Sequence, residues 1–225
     1  MKSHYLTKQY NQIVSYVISR SNKFVDTLDN IMNSLRMVIT GNPGVGKHTT
    51  ALELKKKLND VEVIDINDLA LRHQAFFQRQ DGSNMEIDTR KIAAIIRSKI
   101  RESRRTIIVG HLAPYVLMNR WIDLAVVLRR SPYAILSTLE KRNYSAEKVR
   151  ENVASEILGI ILYDSIERFG RDKIAEYDTT ETTPFQISRE IISLLRGKTD
   201  RKVGAIDWLA LISKRGDVKR FLEYS

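Results

Sequence analysis

Five short apolar runs punctuate the chain from residue 36 onward, and each is followed by a segment with helical spacing. The runs are Arg36–Thr40, 61–65, Thr106–Val109, 124–128 and 173–177, all but the last rich in Val, Ile or Leu. Such uninterrupted runs suit strands buried on both faces, and their alternation with helices predicts a parallel sheet covered on each side. The intervening helices carry recognisable boundaries. One leaves a glycine-rich loop and runs to about Leu58. Asn67 or Asp68 is placed to cap a second, extending through Phe77. A polar stretch, 78–84, contains Asp81-Gly82 and reads as loop. Asp88 caps a helix in which Ile92, Ala93, Ile96 and Ile100 share a face. Ser131-Pro132 opens another, ending near Arg142, with proline at its first position. Ser145 caps a long helix carrying Val149, Val153, Ile157, Ile160 and Ile161, ended by Gly170. Pro184 opens the last core helix, which runs to Gly197.

Two appendages flank this α/β body. Residues 5–35 place Leu6, Tyr10, Ile13, Val17, Leu28 and Ile31 mostly at three- and four-residue intervals, as an amphipathic helix or helix pair with a break at Ser21-Asn22. Met32 and Met37 offer alternative translation starts to this segment. After Gly197 come two short helical patterns, 206–212 and Val218–Leu222, in a lysine- and arginine-rich tail whose Trp208 is expected to pack on the body. The expected organisation is an extension at 1–35, a nucleotide-binding unit at 36–197 and a basic tail at 198–225.

Composition narrows the partners. At 225 residues and 43% hydrophobic the chain can build one substantial core. The absence of cysteine excludes disulfides and thiolate metal sites and fits a reducing cytoplasm. No apolar run approaches membrane-spanning length, and polar residues such as Lys8 and Gln9 break the first residues too early for a secretion signal. A net charge of +10 calls for anionic partners: a nucleotide, with RNA or a ribonucleoprotein surface beyond it.

The chemistry concentrates at 41–47, Gly41-Asn42-Pro43-Gly44-Val45-Gly46-Lys47, between the first strand and its helix. This is the G-x-x-x-x-G-K phosphate-binding loop in its strand–loop–helix setting, and with 10 glycines in 225 residues it is expected by chance only about 0.03 times. Glycines let successive N–H groups point inward, the helix N-terminus adds partial positive charge, and Lys47 adds a full one. The next residue departs from the pattern. His48 stands where a hydroxyl ordinarily binds Mg²⁺, and neutral imidazole is a poor ligand for that hard cation. Thr49 follows, turned about 100° away along the helix.

Other charged groups gather at the carboxyl ends of strands, where α/β sheets place ligands. Arg129 and Arg130 close the fourth strand. Lys141 and Arg142 end the following helix and suit either a lid over nucleotide or complementation of the helix dipole. Val109 ends the third strand where a metal-organising Asp is common, and Gly110-His111 follows. His111 suits either a structural role or contact with a terminal phosphate or attacking water. Asp65, Asp68, Glu86 and Asp88 suit either helix capping or binding of a second nucleotide.

The order of these pieces resembles a known family. The loop 41–47, Asp68-Leu69-Ala70, Gly110-His111-Leu112-Ala113 and Val127-Leu128-Arg129 carry the resemblance. So do Lys141-Arg142-Asn143-Tyr144, Glu151-Asn152-Val153 and Tyr177-Asp178-Thr179-Thr180. Together they resemble, over about 36–196, the atypical adenylate kinases of archaea and eukaryotic nuclei that act in small-ribosomal-subunit maturation. The resemblance implies a P-loop fold, phosphotransfer from ATP to AMP or a related monophosphate, and ATP hydrolysis coupled to release from a small-subunit platform protein near the rRNA. It implies ATP and Mg²⁺ as cofactors, and a monomeric cytoplasmic protein is expected. Carried over by position, Gly44, Val45, Gly46, Lys47, His48, Thr49 and Arg129 contact ATP. Lys47, His111, Arg129 and Arg142 serve phosphotransfer, residues 66–89 hold the acceptor nucleotide, and 131–141 adjoin the lid. His48, Val109 and Pro114 depart from the family pattern. The first two remove groups that organise magnesium, and they leave a weakened, nucleotide-binding assembly chaperone as the rival expectation.

Overall fold

The computed structural model describes residues 34–78 and 85–223. The amphipathic pattern read at 5–35 lies outside the described residues as far as residue 33, as does the polar loop read at 78–84 from residue 79 onward. Strand β1 (Arg36–Thr40) leads through the glycine-rich loop into α1 (Lys47–Lys57). It is followed by β2 (Glu62–Asp65), α2 (Ile66–Arg72), a two-strand ribbon of β3 (Phe76–Gln78) and β4 (Met85–Ile87), and α3 (Thr89–Glu102). Then come β5 (Thr106–Val109), the short α4 (Ala113–Val116), β6 (Leu124–Arg129), α5 (Pro132–Glu140), α6 (Ala146–Leu158) and α7 (Ile160–Phe169). Strand β7 (Ile174–Asp178), α8 (Pro184–Leu195), α9 (Trp208–Lys214) and α10 (Val218–Leu222) complete the chain.

The main sheet is parallel, in the order β2-β5-β1-β6-β7. This bears out the five-stranded α/β expectation. β1 lies at the centre, with Ile39 opposite Val109 on one side and Val126 on the other. Side chains alternate across it. Met37, Ile39, Ile107, Val126 and Leu128 join one buried cluster with Leu54, Leu139 and Ile187. Val38, Ile108, Ala125 and Val127 join a second with Ile92, Ile96, Leu162 and Phe169. Two dry faces explain why the inner strands β1, β5 and β6 read as nearly continuous apolar runs rather than as alternating ones.

Three predicted boundaries move, each for a local reason. The helix after β2 starts a turn earlier than expected, because Asp65 is its cap and accepts the Asp68 N–H at 2.9 Å. It also stops at Arg72: Gln74 takes φ 47, and Phe76 and Phe77 enter the ribbon opposite Ile87 and Glu86. The long helix predicted from Ser145 to Gly170 divides at Gly159, whose φ of 67 ends α6 and starts α7. The left-handed φ at Gly159 is what favours glycine there, since a Cβ would meet the Arg129 guanidinium only at ordinary contact distance, 3.5 Å from Nη1.

The segment after Gly197 is part of the body. Trp208, Ile212 and Phe221 are buried in the same cluster as Leu139 and Val153. Lys202 O accepts the Glu176 N–H at 2.8 Å, which lays the segment along β7. Tyr133 on α5 packs edge-on against Phe221 and donates its hydroxyl to Asp217.

Candidate phosphate-binding site

The loop between β1 and α1 is shaped by close approach. Gly41 has φ 133, and a Cβ there would lie 2.3 Å from Leu128 O on the neighbouring strand. No side chain fits that gap. Gly46 is the N-cap of α1 in the left-handed region and supplies no side-chain cap, so the first-turn N–H groups are left for an anion. Thr49 Oγ1 donates back to Gly46 O at 2.8 Å and is thereby drawn into the helix start.

Lys47 donates Nζ to Asn42 O at 2.9 Å, inside its own loop. Burial pushes its pKa down to about 8, and the nearby Arg142 charge pushes the same way against Asp65 and Glu156. The expected lid arginine therefore acts on the loop: Arg142 is exposed just beyond α5, with its charge felt at Lys47. His111, just past β5, is held down to about 4, first by burial and then by Lys47 and Lys148, with Asp65 opposing. It is a neutral imidazole at physiological pH. Gly110 before it is required, since a Cβ would sit 2.9 Å from the Ile66 side chain.

Arg129 does not stand over the loop. It is 3% exposed, with Nε on Glu156 Oε1 at 2.7 Å, Nη1 on Glu176 Oε1 at 2.8 Å and Nη2 on Glu156 O at 2.7 Å. A guanidinium saturated by two buried carboxylates is a structural ion pair and not a free phosphate ligand. This corrects the role expected for it. Its neighbour reaches the loop instead: Arg130 Nη1 donates to Gly44 O at 3.0 Å, and its buried Nε has no partner among the described residues. An orphaned guanidinium donor beside a phosphate loop is a place for an anion oxygen.

Glu156 is the hub that the sequence reading passed over. It is fully buried and accepts from Asn42 Nδ2 at 2.8 Å, Arg129 Nε, the Arg130 N–H at 3.0 Å and Trp208 Nε1 at 2.9 Å. Ser155 Oγ adds a bond to Asn42 Oδ1 at 3.0 Å. The loop is thus anchored from behind by α6. The signal was present in the sequence, for Glu156 lies on the helical stripe of Val149 and Val153, where a carboxylate must be paired.

Beside the loop, a cavity of about 280 Å³ is lined by Val45, Gly46, Thr50, Arg130, Thr180 and Pro184, among others. Thr50 Oγ1, at its wall, is buried without a partner among the described residues. Thr179 Oγ1 ties the segment after β7 to Val45 O at 2.9 Å.

Comparisons with known proteins give the family and the fold. A family model described as an AAA domain matches residues 37–159. A protein of Pyrococcus abyssi named "Putative adenylate kinase" is 37% identical over 172 residues, 76% of this chain and 90% of that one. Its namesake in Methanocaldococcus jannaschii is 37% identical over 176 residues, 77% and 93% of the two chains. The chain belongs to the P-loop nucleoside monophosphate kinase family. Among solved structures, shikimate kinase from Acinetobacter baumannii superposes with a TM-score of 0.51 at 14% identity, over 74% of this chain and 96% of that one, a likeness of fold alone.

Membership in this kinase family implies ATP, ordinarily with Mg²⁺, so the residues at the magnesium position decide how well that ion is served. The side chain there is an imidazole, and His48 Nε2 is paired with Asp65 Oδ2. Thr49 is turned onto Gly46 O, and Val109 is fully buried at the end of β5. Magnesium thus meets an imidazole where a hydroxyl is usual, with Asp65 Oδ2 engaged by His48 and Thr49 turned onto Gly46 O, and its fit to this site is poor. Asp68 and Asp88 do capping work or lie beside it: Asp68 binds Arg72, and Asp88 accepts the Lys91 N–H at 3.0 Å. Among the described residues no helix is long and apolar enough to cross a membrane.

Proposed function

We propose that this kinase transfers the terminal phosphoryl group of ATP to AMP or a related nucleoside monophosphate. The reading is carried by one arrangement, the Gly41–Gly46 loop with Lys47 at its mouth and the unpartnered Arg130 Nε beside it. A phosphoryl group in transfer spreads negative charge over its oxygens, and catalysis consists mostly of fixed positive groups and good positioning. Lys47 leaves Asn42 O to take the outer phosphates, Arg130 holds one of their oxygens, and Arg142 closes from the end of α5. His111, uncharged, accepts or donates a single hydrogen bond to orient the acceptor or an attacking water. The cavity beside Thr50 and Thr179 takes the nucleoside part of ATP. The acceptor binds near α2 and the ribbon, at the carboxyl ends of β2 and β5.

The test is a coupled assay of ADP formed from ATP, with and without AMP, across divalent-cation concentrations. ADP formation that rises with AMP supports phosphotransfer. ADP formation indifferent to AMP reduces the reading to an ATPase.

A finer reading rests on the +10 charge and on the resemblance to the ribosome-maturation kinases: ATP hydrolysis serves assembly of the small ribosomal subunit in the cytoplasm. Its partner would be a platform protein or the adjoining rRNA. The exposed Lys198, Arg201, Lys214 and Lys219 supply a basic face, and RNA contact through them weakens steeply with salt. Reversal of these charges is the suitable variant, because truncation at Gly197 would strip Trp208 from the core. If neither the native chain nor the reversed one retains small-subunit components at low salt, the assembly role fails.

His48 and Val109 favour the second reading, a binding module that uses nucleotide as a conformational ligand. Tight ATP binding without turnover at any cation concentration would establish it.

A further inference from the structure

The His48–Asp65 pair is the one feature of the loop that the phosphotransfer reading does not use. Asp65 lies at the end of β2 with its side chain 18% exposed, while the His48 imidazole in front of it is 61% exposed. Asp65 is itself fixed, since Oδ1 accepts the Asp68 N–H at 2.9 Å. Its Oδ2 takes His48 Nε2, and no other partner of His48 is found among the described residues. A carboxylate that binds one ring nitrogen holds the proton there and leaves the lone pair on the other. That is the usual support behind a metal-ligating histidine. Here the lone pair belongs to Nδ1, on the residue whose position in this loop governs the cation that accompanies the phosphates.

Imidazole nitrogen binds first-row transition ions far better than it binds magnesium. We propose that the nucleotide is held with a divalent transition-metal ion, ligated by His48 Nδ1 with Asp65 as the positioning residue, in preference to magnesium. The inference rests on the loop being an ATP site, because phosphate oxygens and water must complete the coordination. A site of that kind needs no ready-made cage, and no group of three His, Cys, Asp or Glu able to hold a metal occurs among the described residues.

The experiment uses the full chain, a non-hydrolysable ATP analogue and Mn²⁺ as the probe ion. Binding of a fluorescent ATP analogue without metal is measured first. If it does not bind, the ATP reading itself fails and the proposal falls with it. With nucleotide bound, pulsed EPR of Mn²⁺ is expected to show directly coordinated imidazole nitrogen. The signal should persist in His111→Gln and vanish in His48→Ser. Asp65→Asn, which preserves the cap on α2, should weaken Mn²⁺ binding to the nucleotide complex about tenfold or more. The complex should also prefer Mn²⁺ over Mg²⁺ by more than free nucleotide does, and His48→Ser should erase that excess. Bound nucleotide and Mn²⁺ without nitrogen coupling, or a preference equal to that of free nucleotide, overturns the proposal while leaving the ATP site standing.

Discussion

Trp208 donates its indole N–H to Glu156 Oε1 at 2.9 Å, and the other oxygen of that carboxylate holds Asn42 of the phosphate loop. A helix near the end of the chain is thereby linked through one buried side chain to the place where phosphate would sit. Gly204 N–H and Ala205 N–H repeat the device on Glu176, at 2.7 and 3.2 Å. Arg129 balances both carboxylates. The cluster brings together groups from β1's loop, β6, α6, β7 and the C-terminal segment, so it orders the site by ordering its supports.

Removing the hub should therefore be costly. Glu156→Ala leaves Arg129 with half its compensation and frees Asn42, and a loss of about 3–5 kcal/mol is expected. Trp208→Phe removes one donor and part of a buried ring, for a loss of about 1–3 kcal/mol. Urea denaturation of the two variants checks both values. The double variant should lose less than the sum, because the two groups share a contact.

Lys47 ties affinity to pH. Its folded-state pKa is about 8 against an ordinary 10.5, so between those values the folded chain binds fewer protons than the unfolded one. Stability from this group then rises with pH through that window, and the penalty of the buried ammonium is fully present below it. Lys47→Met should flatten that rise and stabilise the nucleotide-free protein at neutral pH, by about 1–2 kcal/mol. The same variant should abolish ATP binding. In the native chain, affinity for an ATP analogue should fall as pH climbs past about 8, whereas Lys47→Arg should show a weaker but flatter profile. Melting and titration at neutral and alkaline pH read both effects.

The sheet was legible because its strands are buried on both faces and separated by well-capped helices. The loop was legible because its glycines and lysine keep the G-x-x-x-x-G-K spacing between a strand and a helix. The roles of Arg129 and Arg130 were not, since one is the last residue of β6 and the other the first beyond it, and the pattern does not say which of them meets carboxylates. Glu156 and Glu176 come from distant elements, and only the folded chain puts both on Arg129. The break at Gly159 was hidden by an apolar stripe that continues past it. Phe76 and Phe77 continued a helical pattern, although the pairing with 85–87 claims them for a ribbon.

His111 should carry no charge in the working range. Burial and the charges of Lys47 and Lys148 hold it at about 4, below the ordinary 6.5. Stability from this group is complete above 6.5 and is lost as pH falls toward 4. The His111 imidazole signals in NMR should stay those of the neutral ring down to about pH 5, with no midpoint near 6.5. His111→Gln, which can still offer one hydrogen bond, should lower turnover while leaving ATP affinity within a few-fold of native. A midpoint near 6.5 would show that the ring is solvated and unsuited to the role of neutral orienting group.

Arg129 and Arg130 separate structure from binding. Arg129→Met removes one donor from each of two buried carboxylates and a third from the Glu156 carbonyl, so it should cost about 3–5 kcal/mol. Its ATP affinity, measured on the fraction that remains folded, should change little except through loosening of the loop. Arg130→Met surrenders one bond to Gly44 O and should cost only about 1 kcal/mol of stability. It also removes the unpartnered Nε and the charge beside the loop, so ATP should bind roughly 10- to 100-fold more weakly, as for a lost charge-assisted hydrogen bond. Urea denaturation combined with titration of a fluorescent ATP analogue places each variant on both axes. If Arg129→Met instead loses affinity at unchanged stability while Arg130→Met does neither, the assignment reverses and Arg129 is the phosphate ligand.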